Sequence, residues 1–368
     1  MHLKTLSILN YKNYSEINLQ LSPKINCFVG SNGVGKTNLL DSIYYLSMCK
    51  SFLNPVDNQN IKHGEEFAVM QGSFEREEKE EKIYCSIHKQ KKKKVKRNKK
   101  DYRKLSEHIG FLPVVMISPL DANLISGGSE EKRKYMDRVI SQYDKDYLNA
   151  LIKYNRALSQ RNQLLKSFAE HNYFDPDSLD LWDEQLIKLG SIIYSKRVKF
   201  TEELVPVFQH YYDAISGYAE KVGLQYQSQL HETHFRKLLT EAMQKDRAVQ
   251  YTTVGVHKDD LEFSIGDFAL KKAGSQGQQK TFLVALKFAQ YDFMRKVKGF
   301  RPILLLDDIF DKFDQQRVQK ILENVALEHF GQIFITDTSE DRLKKLLSEI
   351  HIDYRMYLIA KDDEITLA

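Results

Sequence analysis

The sequence predicts an α/β fold, a head built on a mixed or parallel sheet and interrupted by an inserted helical lobe. Three observations carry this. The apolar run Ile25–Val29 leads through a glycine-rich turn into a segment apolar at Leu39, Leu40, Ile43 and Leu46, which is helical spacing. Far downstream, Pro302–Leu306 is a second short apolar run, and it ends in the paired carboxylates Asp307 and Asp308. Between them lies a long stretch of helical periodicity with charged outer faces.

Residues 1–125 read as strand-rich and include the glycine turn and its helix, the first part of the head. At Gly127-Gly128-Ser129 a helical stretch opens, and Met136, Val139, Ile140, Tyr143, Leu148, Leu151 and Ile152 keep its spacing. Asp175-Pro176-Asp177-Ser178 breaks that stretch and caps the next helix, which carries Trp182, Leu186, Leu189 and Ile193. The lobe is expected over 126–250, and 251–368 is expected to return to strand–helix alternation and complete the head. No heptad run is long enough for an extended coiled coil, and no internal repeat is present.

The turn Gly30-Ser31-Asn32-Gly33-Val34-Gly35-Lys36-Thr37 fits G-x-x-x-x-G-K-[ST] between a strand and a helix start. Backbone N–H groups and the positive helix end converge there, so residues Gly30–Asn38 are expected to hold a triphosphate. Lys36 would reach the outer phosphates and the Thr37 hydroxyl would ligate Mg²⁺. A carboxylate at the tip of the strand ending at Leu306 can hold the same ion. That assigns Asp307 to the metal and Asp308 to the attacking water as base. Ser275-Gln276-Gly277-Gln278 precedes a helical run through Ala289; it reads either as a second oxyanion-binding helix start or as an ordinary capped helix.

Composition fits an intracellular enzyme of about two domains: 368 residues, 42% hydrophobic and 11% aromatic. Three cysteines (Cys27, Cys49, Cys85), with no CxxC and no His/Cys cluster, argue against a disulfide framework or a zinc site. No signal peptide pattern opens the sequence and no apolar run approaches the ~20 residues of a membrane span, so a cytoplasmic location is expected. The net charge of +5 conceals an asymmetry: Lys89–Lys104 holds eleven Lys/Arg against one Asp. That block reads either as a DNA-phosphate contact or as a solvated hairpin.

An ordered series of motifs is similar to the RecF family, the bacterial recombination-mediator ATPases related to SMC heads. It runs through Leu9–Tyr14, Gly30–Leu40, Gly110–Val115, Ser118–Asp121, Gly127–Arg133, Gly255–Asp260, Ser275–Thr281 and Leu304–Asp308, nearly the whole chain. The resemblance implies an ABC-ATPase, SMC-like head that uses ATP and Mg²⁺. It further implies a symmetric ATP-dependent dimer in which Ser275–Gln278 of one subunit close over the nucleotide of the other. Duplex DNA next to single-stranded gaps is the implied substrate, with RecR and RecO as partners in loading RecA. Lys12 and Asn13 lie in a loop that related heads turn toward the nucleotide, although a plain turn reads equally well. Lys50 and Thr336 each have both a structural and a nucleotide-site reading, and His257, beside Asp259 and Asp260, reads as catalytic or, more readily, as a hydrogen-bonded structural residue. The chain departs from the family pattern at Val256, at Lys258 and Lys280, where lysine lacks arginine's fork, and at Asp311–Asp314.

Two other classes share parts of this pattern. A transporter's ATP subunit has the same three motifs, but its signature follows the phosphate loop much sooner than Ser275 follows Thr37. A defence ATPase with a nuclease would need an acidic metal-binding domain after Asp307–Asp308, and about 60 residues remain there.

Overall fold

In the computed structural model, residues 1–217, 220–310, 320, 330–350, 353–361 and 364–368 are described; Asp311–Asp314 lie outside them. The chain opens with β1 (His2–Tyr11) and β2 (Tyr14–Gln20), an antiparallel hairpin whose Leu3, Leu6, Ile8 and Ile17 side chains are buried. The five-residue β3 (Ile25–Val29) is buried along its whole length and leads into helix α1 (Lys36–Met48). Then come β4 (Phe67–Arg76), β5 (Lys79–His88), β6 (Lys91–Arg97), the two-residue β7 (Lys100–Asp101) and β8 (Val114–Ile117). Strands β2-β1-β4-β5-β6-β7, in that order, form an antiparallel sheet. One of its faces is covered and the other is polar, the pattern expected of a half-solvated antiparallel sheet.

The middle of the chain is helical: α2 (Asn123–Ser126), α3 (Ser129–Tyr143), α4 (Lys145–Glu170) and α5 (Pro176–Ser216). The Asp144 side chain caps α4 by accepting from the Tyr147 N–H at 2.9 Å, and Asp175 accepts from the N–H groups of Asp177 and Ser178 ahead of α5. Next are β9 (Val222–Gln227), α6 (Phe235–Val249), β10 (Asp260–Ile265), β11 (Phe268–Ala269) and α7 (Leu270–Ala273). Strand β10 pairs with both β9 and β11. Helix α8 (Gln276–Lys298) and strands β12 (Ile303–Leu306), β13 (Ile333–Asp337), β14 (Tyr354–Ile359) and β15 (Ile365–Leu367) complete the described elements, with a helix at Glu340–Ile350.

The second large sheet runs β15-β14-β3-β13-β12-β8, parallel throughout except for the antiparallel edge β15. The expected mixed sheet is therefore present. Helix α1 is buried on nearly every side, and its Leu39, Leu40 and Ile43 join Leu6 and Met70 of the first sheet and Ile303 and Phe334 of the second in one core.

The chain divides into two compact units, Met1–Asp121 with Tyr211–Gly217 and Thr281–Ala368, and Ala122–His210 with Tyr218–Lys280. Residues 251–280 thus fall in the helical unit and not in the head, where their strand–helix alternation places them. The pairing of β10 with β9 accounts for this, since that ladder binds 260–265 to the lobe. Among the described residues, no helix is long and apolar enough to cross a membrane.

Candidate functional site

Strands β3, β13 and β12 are neighbours and parallel, so their carboxyl ends lie side by side, the edge at which open α/β sheets bind ligands. The glycine loop leaves β3 at this edge. An ideal Cβ on Gly30 would stand 2.2 Å from the Ile359 carbonyl oxygen, so the strand exit admits no side chain. Gly35 has φ 111° and precedes α1 without a side-chain cap, and the first helical turn holds no acidic residue. The first N–H groups of α1 are therefore open to an external anion. Ser31, Asn32 and Gly33 are exposed, Val34 is half-buried, and Lys36 is buried with Nζ donating to the Gly30 and Ser31 carbonyls at 2.9 and 3.0 Å. The ammonium is thus held across the mouth of its own loop.

Asp307 leaves β12 at the same edge, and its N–H donates to Ile117 O at 2.8 Å. Its Oδ1 accepts from the Thr37 hydroxyl at 2.9 Å and from the Thr336 hydroxyl at 2.8 Å. Burial pushes the Asp307 carboxyl above its ordinary range, and the two threonine hydrogen bonds oppose that rise. Thr336, at the end of β13, also accepts from the Asp308 N–H at 2.9 Å, so one hydroxyl fixes both aspartates. Asp308 itself has φ 44°, in the left-handed region. Thr37 Oγ1 and the buried Asp307 Oδ1 are hard oxygen donors within hydrogen-bond distance of each other, a hydroxyl and a carboxyl. That donor set fits Mg²⁺.

The turn after β1 meets the loop from the other side. Asn13 donates to Val34 O at 3.2 Å and accepts from the Asn38 side chain at 2.7 Å, so it braces the loop. Lys12 is occupied differently: its Nζ lies 2.5 Å from Asp41, whose carboxylate is fully buried. Asp41 also accepts from the Tyr11 and Ser51 hydroxyls and from the Phe52 N–H, each at 2.6 Å. Sequence reasoning missed this hub. Its signal was a carboxylate set among Leu39, Leu40 and Ile43 on the helix.

Ser275–Gln278 and His257 lie in the second unit. Ser275 and Gln278 cap α8 reciprocally: the Gln278 N–H donates to Ser275 Oγ at 3.2 Å and the Ser275 N–H donates to Gln278 Oε1 at 2.7 Å. Ser275 and Gln276 are exposed, Gly277 is half-buried, and Gln278 also donates to Glu220. His257 bonds the Thr252 carbonyl through Nε2 at 3.0 Å and Tyr154 through Nδ1 at 2.8 Å. A carbonyl only accepts, so Nε2 carries the proton and neutral Nδ1 takes the tyrosine's. Burial lowers this imidazole to about 4, which fits a structural residue.

The RecF/RecN/SMC N terminal domain family matches residues 2–357. The chain is 52% identical to the DNA replication and repair protein RecF of Phocaeicola vulgatus over 368 residues, covering 100% of this chain and 98% of that one. This chain belongs to the RecF family. It is also 52% identical to the RecF protein of Flavobacterium johnsoniae, covering 97% of this chain and 99% of that one. A solved recombination mediator protein RecF-ATP of the RecFOR pathway superposes with TM-score 0.89 at 30% identity, over 100% of this chain and 97% of that one. The Smc head domain of Pyrococcus furiosus shares the fold at TM-score 0.58 and 16% identity. The RecF-like, SMC-type head expected from the motifs is therefore the fold, and a replication and repair protein is the reading that stands over a transporter or defence subunit.

Proposed function

We propose that this chain is a slow, DNA-stimulated ATPase that acts as a recombination mediator on duplex DNA beside single-stranded gaps. The observation that carries this reading is the convergence of Thr37, Asp307 and Thr336 at the mouth of the phosphate loop. The loop N–H groups and Lys36 would bind the β- and γ-phosphates, with Gly30–Asn38 as the cradle and Asn13 as its brace. Thr37 and Asp307 would hold Mg²⁺, which supplies neutralisation of phosphate charge. Asp308 would take the proton of the attacking water as ATP is split to ADP and phosphate. Its carboxylate is one methylene shorter than glutamate's, which suits a slow timer more than a motor.

Ser275–Gln278 would meet the phosphate of a second copy, so that ATP holds a symmetric homodimer and hydrolysis releases it. RecR and RecO are the proposed protein partners, the compartment is the cytoplasm, and Lys12 would act on the nucleotide only through its place beside Asn13.

The test is the ATP hydrolysis rate per protein across a concentration series, with and without duplex DNA. A rate that climbs with both supports the composite site, and a rate flat in both sinks it. Ser275→Asp sharpens the result, since Asp caps α8 as well as Ser does but sets a carboxylate against phosphate. Unchanged stability with loss of ATP-driven dimerisation is expected; normal dimerisation would remove the shared site.

A further inference from the structure

The lysine-rich block is sorted by the two-residue period of β6. Lys93, Val95 and Arg97 turn toward the covered side of the sheet. Lys93 donates to Cys49 O at 2.6 Å beyond the end of α1 and pairs with Asp57 at 3.0 Å. Val95 is buried in the core, and Arg97 pairs with Glu81 at 2.6 Å. Half of the run is thus structural.

The other half faces outward. Lys94 stands across from Ser86, and Lys96 across from Tyr84, which stands across from Gln71 on β4. With Lys82, His88 and Lys99 these residues line a groove on the polar face of the sheet, and the groove has no carboxylate in its lining. Among the described residues, Lys82 and Lys96 have long ion-pair contacts, to Glu80 at 3.6 Å and Asp101 at 3.9 Å, which contribute little. Among the described residues Lys94 and Lys99 have no ion-pair partner, unlike Lys93 and Arg97 on the same hairpin. Lysines two apart on a strand sit ~7 Å from each other, so the groove holds mutually repelling cations that a chain of phosphates would neutralise by releasing counterions.

We propose that this groove, on the outer face of β4–β5–β6, is a seat for the sugar-phosphate backbone of duplex DNA. The inference rests on the DNA-dependent reading above and names where the duplex binds. Tyr84, half-buried, is the aromatic ring of the groove besides His88, too few to stack a run of unpaired bases, so a duplex backbone is favoured over a single strand. No base edge is read, and binding is independent of sequence. Because the same strand sends Lys93 to the end of α1, occupancy of the seat and the nucleotide helix share one element.

The test uses the full chain with ATP and a labelled duplex, titrated at several salt concentrations. Lys94→Gln/Lys96→Gln/Lys99→Gln is compared with Lys188→Gln/Lys199→Gln/Lys237→Gln, an equal loss of charge on the helices of the other unit. In the groove variant the slope of log affinity against log salt should fall by about 3, affinity should drop tenfold or more, and basal hydrolysis should stay unchanged. The Arg triple at the same positions should restore binding, which separates charge from folding. An unchanged slope, an equal loss in the control, or a loss for single strands alone overturns the seat. A parent protein that binds no duplex at any salt overturns the DNA-dependent reading as well.

Discussion

Asp308 is held with φ 44° at the end of β12, a region that Asp and Asn tolerate and that other non-glycine residues enter at a cost. Asp308→Asn is therefore expected to keep stability within ~0.5 kcal/mol, while Asp308→Ala loses about 1 kcal/mol more, both read by urea unfolding. Single-turnover hydrolysis should fall about 10²-fold or more in either, with ATP still bound, and parental turnover in Asp308→Asn would remove the residue as base. His257 gives a pH signature. Its folded value of about 4 lies below the ordinary 6.5, so its contribution is complete above 6.5 and is lost as pH falls toward about 4. The loss should approach about 3 kcal/mol at most. Lys258 and Arg133 reinforce the lowering, while Asp246 and the bond to Thr252 oppose it. Asp183, Asp259 and Asp307, all raised by burial, act with the opposite sign: their contribution is complete below 3.8 and is lost as pH rises through their folded values. Unfolding midpoints from pH ~7 to ~4.5 for the parent and His257→Gln isolate the histidine's share, and parallel curves would refute it.

One buried guanidinium ties three helices of the second unit. Arg161 on α4 reaches Asp183 of α5 at 2.5 Å, Asp246 of α6 at 2.7 Å and the Thr252 hydroxyl at 2.9 Å. Arg161→Ala would leave two buried carboxylates without their cation, at a cost of about 3–5 kcal/mol. Arg161→Met/Asp183→Leu/Asp246→Leu should recover most of it in thermal melts; a single variant as stable as the parent would show the network to be idle. None of this was legible in sequence, because Arg161 sits in an ordinary-looking charged helix and its partners are 22 and 85 residues away. Local order was legible. The strand, glycine turn and helix from Ile25 to Leu46, and the strand ending at Leu306, follow from period and spacing alone. Allocation of residues 251–280 was not, since strand–helix alternation looks the same in a head or a lobe and only the pairing of β10 with β9 decides. The lysine block reads as a DNA contact or a solvated hairpin, and neither reading foresaw that Lys93 and Arg97 turn to the covered side and pair there. Its alternation was visible, but which face was covered was not.

At the scale of the whole molecule, the sheet that carries the glycine loop is assembled from remote pieces. β3 is flanked by β13 and β14, and beyond β13 come β12 and β8. A chain truncated after residue 330 keeps the β1–β2 hairpin and α1 but loses both neighbours of β3. It should therefore be recovered as aggregate in a solubility assay, and a soluble, cooperatively melting fragment would contradict this topology. The same arrangement governs synthesis. β3, the five-residue strand on which the glycine loop hangs, leaves the ribosome roughly 300 residues before either strand that will pair with it, a wait of roughly 15–60 s at ordinary elongation rates. During that interval its backbone donors and acceptors are open to any passing strand, so the yield of active protein is set by how well the cell shields a nascent chain.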